Sequence, residues 1–145
     1  MSLQENKEAV LRFIEQVENR HNLDALDEIF SPNFIDHSSM TNTPGLDGTK
    51  EFFKMMFEAF PDMHFRVSQQ LAEDDRVMTY KVFHGTHMGH FMGIPPTGKQ
   101  VSTDTIDIFT VIHGKITEHW TVSDMLSLFL QLDALTLPKA KQVLP

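Results

Sequence analysis

Asp107 stands between Ile106 and Ile108, with Phe109 following, in a run whose alternation reads as a buried strand. A carboxylate in apolar surroundings loses its water shell and gains proton affinity, which is what a general base for carbon acids needs. Alternation puts Asp107 on the side of Thr105 and Phe109, and that side is expected to face an interior pocket; the alternative is a solvated face. Asp124 is the second candidate, because it closes the strand after Trp120 and could point into the pocket mouth. With Ser123 it also stands where the next helix requires an N-cap.

Eight His and no Cys leave carboxylates and imidazoles as the reactive inventory, excluding disulfides, thiolate nucleophiles and cysteine-bound zinc. His84, His87 and His90 are spaced by three, which along a strand sends successive rings to opposite faces. No metal is expected, since only a local turn near Gly85 or Gly89 would gather them. His119 and Trp120 cannot both face inward on an alternating strand. Trp120 is expected in the pocket wall, offering a flat apolar face and an N–H donor, with His119 outside at a subunit contact unless a bulge shifts the phase.

The elements that must position these residues follow from periodicity. Ser2 and Glu5 have capping-box spacing, and Val10, Phe13, Ile14 and Val17 mark an amphipathic helix over about 4–20. Asn22 caps a short second helix that Ser31-Pro32 ends, and an extended piece runs from Asn33 to His37. Asp36-His37 then lies under a polar, turn-rich loop, Ser38 to Gly48, a lid candidate. Phe52, Phe53, Met56, Phe57 and Phe60 stripe a third helix ended by Pro61; of these Met56 is expected to touch a ligand, with Phe60 the weaker choice.

From Met63 the period becomes two, and strands follow over about 63–73, 76–88, 100–111 and 115–122. Turns at Asp74-Asp75, at Gly93 to Gly98 and at His113-Gly114 separate them, and a last helix covers Asp124 to Leu132. Helices first and a four-strand meander after them place the helices on one face of an antiparallel sheet. Gly85, Gly89 and Gly93 are placed where bends would let it coil around an interior cone. The fold class is therefore α+β, one domain over 1–137 with a loose tail over 138–145.

A formal charge of −8 with scattered Lys and Arg opposes a phosphate-tracking surface, so nucleic acid is not an expected partner. No apolar run reaches membrane-spanning length and no leader pattern opens the chain, so no membrane partner and a cytoplasmic location are expected. Nine Met and twelve Phe suit an irregular cavity and a plain core equally.

The stretches His84-Gly85-Thr86-His87-Met88-Gly89-His90-Phe91-Met92-Gly93-Ile94-Pro95-Pro96-Thr97-Gly98 and Asp107 to Trp120, which ends Gly114-Lys115-Ile116-Thr117-Glu118-His119-Trp120, resemble the SnoaL-like polyketide cyclases. This is the ester-cyclase branch of the nuclear transport factor two-like superfamily, and the similarity spans nearly the whole chain. The resemblance implies a cystatin-like cone, curved sheet around helices, forming a homodimer. It also implies closure of a polyketide ring by intramolecular aldol condensation without metal or organic cofactor. It makes His87, in a G-x-H-x-G element, and His37, beside the lid, candidates for the cavity. Where the resemblance places the family's catalytic Asp, after the Glu-His-aromatic element, this chain has Thr121; where it places the partner His, this chain has Asp107. Either one carboxylate has moved to the neighbouring strand or the cyclase reaction has been lost.

Taken together, these readings give a polyketide cyclase or isomerase that removes a proton next to a carbonyl in a small, apolar carbonyl-containing or cyclic molecule. Asp107 is the expected base, Thr105 or Thr121 the orienting hydroxyl, and Asp124 or His87 a second proton carrier. Phe91, Phe109, Met56, His37 and Trp120 complete the expected substrate contacts. The rival from another class is a non-catalytic ligand-binding or interaction domain of the same fold.

Overall fold

The computed structural model describes residues 2–138, so the tail expected over 138–145 lies, beyond Pro138, outside the described residues. Ser2 starts α1 (Leu3–Phe13) with a complete capping box: its Oγ accepts from Glu5 N at 3.0 Å and its own N–H donates to the Glu5 carboxylate at 3.2 Å. The helix does not continue as one α-helix to residue 20. It widens into a π-helical turn over Ile14–Asn19, so that Phe13 and Glu18, five residues apart, fall one turn from each other on the buried side. α2 (Ala25–Ile29) leads into β1 (Phe30–Asp36), and α3 (Gly45–Ala59) carries the expected aromatic stripe.

The strands β2 (His64–Glu73), β3 (Arg76–Thr86), β4 (Gln100–Ile112) and β5 (Lys115–Ser123) form the expected meander, and α4 (Met125–Gln131) closes the fold. The sheet has one more strand than the meander: β1 pairs with β5 in parallel, giving the order β1-β5-β4-β3-β2 and a mixed rather than purely antiparallel sheet. Among the described residues β1 and β2 are unjoined edges, so the curved sheet stays open.

Curvature comes from bulges at positions other than the glycines. Ser68 is an extra residue in β2 opposite Lys81 and Tyr80, and Thr117 is an extra residue in β5 opposite Val111 and Thr110. β3 and β4 pair without interruption from Arg76↔Thr110 to Thr86↔Gln100, straight through Gly85. Gly85 instead allows close packing: a Cβ there would lie 3.1 Å from the Phe60 Cβ and 3.0 Å from the Phe83 ring, so those side chains would have to give way. The β4–β5 hairpin turns through His113 (φ +50°) and Gly114 (φ +77°), the paired left-handed conformations of a tight two-residue turn.

Two apolar clusters line the concave side of the sheet. One joins Val10, Phe13 and Val17 of the first helix to Phe30, Phe109 and Ile116; the other joins Phe60 and Met56 of α3 to Phe83, Val101 and Leu128 of α4. The rings of Phe13, Phe30 and Phe109 meet edge to face at 5.2–6.4 Å. Between the two clusters lies a cavity.

Candidate active site

The inward face of β3 reads Val77, Thr79, Lys81, Phe83, and that of β4 reads Val101, Thr103, Thr105, Asp107, Phe109. Strand alternation thus carries a lysine and an aspartate into the interior, where Lys81 and Asp107 are each 2% exposed. The Lys81 ammonium lies 2.5 Å from Asp107 Oδ2 and donates to Glu18 Oε1 at 2.6 Å, with the Phe65 ring 4.3 Å away. Glu18 arrives from the π-helical turn and is 4% exposed.

The other Asp107 oxygen, Oδ1, meets His119 Nε2 at 2.8 Å, and His119 Nδ1 meets Asp36 Oδ1 at 3.2 Å. The result is one continuous chain of ionisable groups, Glu18–Lys81–Asp107–His119–Asp36, contributed by the first helix and strands β3, β4, β5 and β1. The His119 ring stacks on Phe109 at 4.5 Å, which fixes its plane. Asp36 also accepts from the Ser38 backbone N–H at 3.0 Å, and Ser38 Oγ accepts from Thr121 N at 3.0 Å, tying the start of the loop to β5.

Burial alone would keep these groups neutral; their mutual pairing decides otherwise. For Asp107, desolvation is outweighed by Lys81 and by the His119 hydrogen bond, which hold its carboxyl well below the usual carboxylate range. Desolvation likewise opposes a charge on His119, but hydrogen bonds to Asp107 and Asp36 push it up to about 9. Lys81 is raised as well, with Asp107 and Glu18 overcoming its burial. Glu18 goes the opposite way from Asp107: desolvation is its largest influence and, with the nearby Asp107 charge, raises it to about 7 against the opposing pull of a shared Lys81 and of His119.

This chain lies along a cavity of about 140 Å³ whose wall is otherwise mostly apolar, including Phe13, Phe53, Met56 and Phe83, with hydroxyls such as Ser38, Thr49, Thr105 and Ser123 among them. Thr103 Oγ1 also lines it and is buried without a hydrogen-bond partner among the described residues, an open donor or acceptor beside the charged chain.

Of the residues singled out from sequence, Asp107, Thr105, Thr121, Met56, Phe91 and Phe109 line this cavity. Trp120, His37, Asp124, His87 and Phe60 do not. Trp120 and His119 are exchanged relative to expectation because the Thr117 bulge reverses the phase of β5: Ile116 is inward, and beyond the bulge so are His119, Thr121 and Ser123. Trp120 instead stacks on His37 at 4.4 Å, with the Arg76 guanidinium 4.8 Å from its ring centre. His37 is drawn away from the cavity by that stack and by Glu118, whose carboxylate it meets at 2.9 Å.

Asp124 Oδ1 accepts from Ser127 N at 3.0 Å as the N-cap of α4, so its carboxylate is committed to the helix end. His87 is fully buried against Phe60, where Nδ1 meets the Thr97 hydroxyl at 3.0 Å and braces the Gly93–Gly98 turn. Among the described residues no group of three or more His, Asp or Glu is arranged to hold a metal ion. Glu18 and Lys81 were missed from sequence. Lys81 alternates in phase with Val77 and Phe83, a charge on a strand's apolar face, and Glu18 extends the apolar stripe of the first helix. Two opposite charges on two inward faces were the available signal.

The match to known proteins agrees with this architecture. Residues 8–132 match the SnoaL-like polyketide cyclase family, and the chain belongs to that family. It is 26% identical over 106 residues to the nogalonic acid methyl ester cyclase of Streptomyces nogalater, covering 70% of this chain and 78% of that protein. It is 21% identical over 127 residues to aklanonic acid methyl ester cyclase DnrD of Streptomyces peucetius, covering 85% of this chain and 88% of that one. The crystal structure of AclR from Streptomyces galilaeus, described as a candidate hydroxylase, superimposes with a TM-score of 0.84 at 30% identity, covering 93% of this chain and all of that one.

Proposed function

We propose that this protein is a cofactor-independent cyclase that removes a proton next to a carbonyl of a small apolar substrate and closes a ring by intramolecular aldol addition. The observation that carries this reading is the juxtaposition of an apolar cavity with the buried chain from Glu18 to Asp36. Enolate formation moves negative charge onto a carbonyl oxygen, and a fixed donor in a site of low polarity stabilises that charge far more than water does. The Thr103 hydroxyl, on the cavity wall without a partner among the described residues, supplies the donor, and His119 supplies positive charge beside it. His119 is charged at neutral pH, its ring is fixed by Phe109, Asp107 and Asp36, and it lines the cavity.

Both His119 N–H groups are held, Nε2–H by Asp107 and Nδ1–H by Asp36, so the ring stays charged and fixed beside the cavity while the Thr103 hydroxyl donates to the substrate carbonyl. Asp107 itself, with both oxygens facing cations, is a weak proton acceptor and acts here as the anchor of His119 rather than as the base. Thr105, whose hydroxyl pairs with Ser123 Oγ at 2.9 Å on the same wall, is suited to the substrate's second polar group. Relatives that are methyl ester cyclases support a carbonyl-bearing polycyclic or monocyclic ester as the substrate class. A cytoplasmic location and a homodimer belong to the same proposal.

The test is ring closure of nogalonic acid methyl ester and aklanonic acid methyl ester, followed by chromatography, since the product is an isomer of the substrate. Wild-type protein is expected to close at least one of them, and Asp107→Asn to lose about 10²–10³-fold in turnover while melting as a folded protein. Tight binding of both esters with no closure by the wild type would establish the ligand-binding reading in its place.

A further inference from the structure

The charged chain contains three carboxylates, Glu18, Asp107 and Asp36, and two cations, Lys81 and His119. One negative charge is therefore in excess when every group is ionised. Asp107 touches both cations, and Asp36, with 18% of its side chain exposed, has His119, the Ser38 N–H and some solvent. Glu18 has only Lys81, which it shares with Asp107, and its side chain is 6% exposed. Its one side-chain hydrogen bond among the described residues uses Oε1, leaving Oε2 for whatever occupies the cavity it lines.

We propose that Glu18 is the catalytic base of this site, taking the proton from the carbon next to the substrate carbonyl and returning it to the alkoxide that ring closure creates. The inference rests on the carbonyl chemistry proposed above and adds the group that moves the proton. The C–H bond breaks as the O–H bond forms on Glu18, and the carbon's electron pair becomes an enolate whose oxygen accepts from the Thr103 hydroxyl beside the charged His119 ring. The enolate carbon then bonds to the second carbonyl carbon, whose π pair moves to its oxygen. That oxygen takes the proton from Glu18, which is ionised again. No oxidant, reductant or co-reactant enters, and substrate and product are isomers.

The charge count favours this step. Accepting a proton turns the ionised chain from a net charge of −1 to neutral, so the excess buried charge passes from Glu18 to the enolate instead of being added to it. The groups facing Glu18 are Lys81 from β3, Asp107 from β4 and His119 from β5. Under their influence and that of burial it titrates near 7, so it accepts a proton close to neutral pH, whereas Asp107 does not.

The experiment is deuterium incorporation into α-tetralone in heavy water, read by mass spectrometry, beside ring closure of the two methyl esters. Wild-type activity is expected to rise with pH through about 7 as Glu18 ionises and to fall above about 9 as His119 loses its proton. Glu18→Gln keeps an acceptor for Lys81 and is expected to melt as a folded protein while losing about 10²–10⁴-fold in both assays. Glu18→Asp retains a weaker activity with an acid limb; the residual activity of Asp107→Asn keeps an acid limb moved to lower pH, because Lys81 then pairs with Glu18 alone. Glu18→Gln within a few-fold of wild type, or an unchanged acid limb in it, overturns the assignment and leaves the cyclase reading standing. A wild-type protein inactive on all three compounds overturns the cyclase reading, and this one with it.

Discussion

Lys81 sits with its ammonium against Glu18 on one side and Asp107 on the other, and the aromatic face of Phe65 closes the space around it. Taking a lysine so far from water is unfavourable unless both its charge and its donors find partners, and here two carboxylates supply them. At the far end of the chain, His119 has carboxylates at both ring nitrogens, and that pairing makes folding depend on its proton. Its folded-state value of about 9 lies above the ordinary 6.5, so the stabilisation it contributes is complete below pH 6.5 and disappears as pH climbs through 9. Wild-type protein should therefore lose stability over that interval, measured as a falling urea midpoint. His119→Gln should be less stable than wild type at pH 6.5 and, once Glu18 is ionised above about 7, flat up to pH 9. A wild-type midpoint that holds constant past pH 9 would mean that His119 is not protonated in the folded protein. These residues also show what single-residue reasoning can reach. Asp107 was legible because apolar neighbours flank it directly in sequence. Glu18 and Lys81 were not, because each is made functional by a partner 63 positions away.

At the scale of elements, periodicity located the helices and strands and then failed where a strand gains a residue. Thr117 in β5 is such a point: alternation from Ile116 sends Trp120 inward, whereas one unpaired residue sends His119 inward and Trp120 out to stack on His37. Nothing in the run Lys115 to Val122 marks the bulge, which exists only relative to Val111 and Thr110 on the partner strand. The π-helical turn is a second case, since it shifts Glu18 by widening a helix that the apolar pattern describes as uniform. The parallel pairing of β1 with β5 is a third: a seven-residue strand ahead of all the others gives no sign of which edge it will join. Cap chemistry is local and was legible as one of two readings of Asp124. Asp124→Ala should lower stability by about 1 kcal/mol, with Asp124→Ser restoring most of it, because either oxygen accepts from Ser127 N. Turnover on the methyl esters should be unchanged in both variants. A loss of turnover without a loss of stability would return Asp124 to the catalytic group.

At the scale of the whole molecule, the concave side of the sheet is covered by helices, and among the described residues nothing covers the opposite side. There Val122 is 76% exposed, Ile106 39% and Met78 40%, and the strand register sets Ile106 directly opposite both Val122 and Tyr80. Apolar side chains side by side on an uncovered sheet face are unfavourable in water and favour association. A second copy of the chain can supply the same face in return, which is the self-complementary arrangement of a two-fold dimer. The face also lies behind the site: Ile106 and Ile108 flank Asp107, while Trp120 and Val122 flank Thr121. A partner pressed against it would stiffen β4 and β5 and hold His119 against Asp107 at the distance the chemistry requires. The expected outcome is a dimer by sedimentation equilibrium, converted to a folded monomer by the paired substitution Ile106→Asp and Val122→Asp. That monomer should turn over more slowly than the dimer, since neither substituted side chain lines the cavity and only the support behind it is removed. A wild-type monomer at concentrations where it is fully active would show instead that the sheet holds the site without a partner.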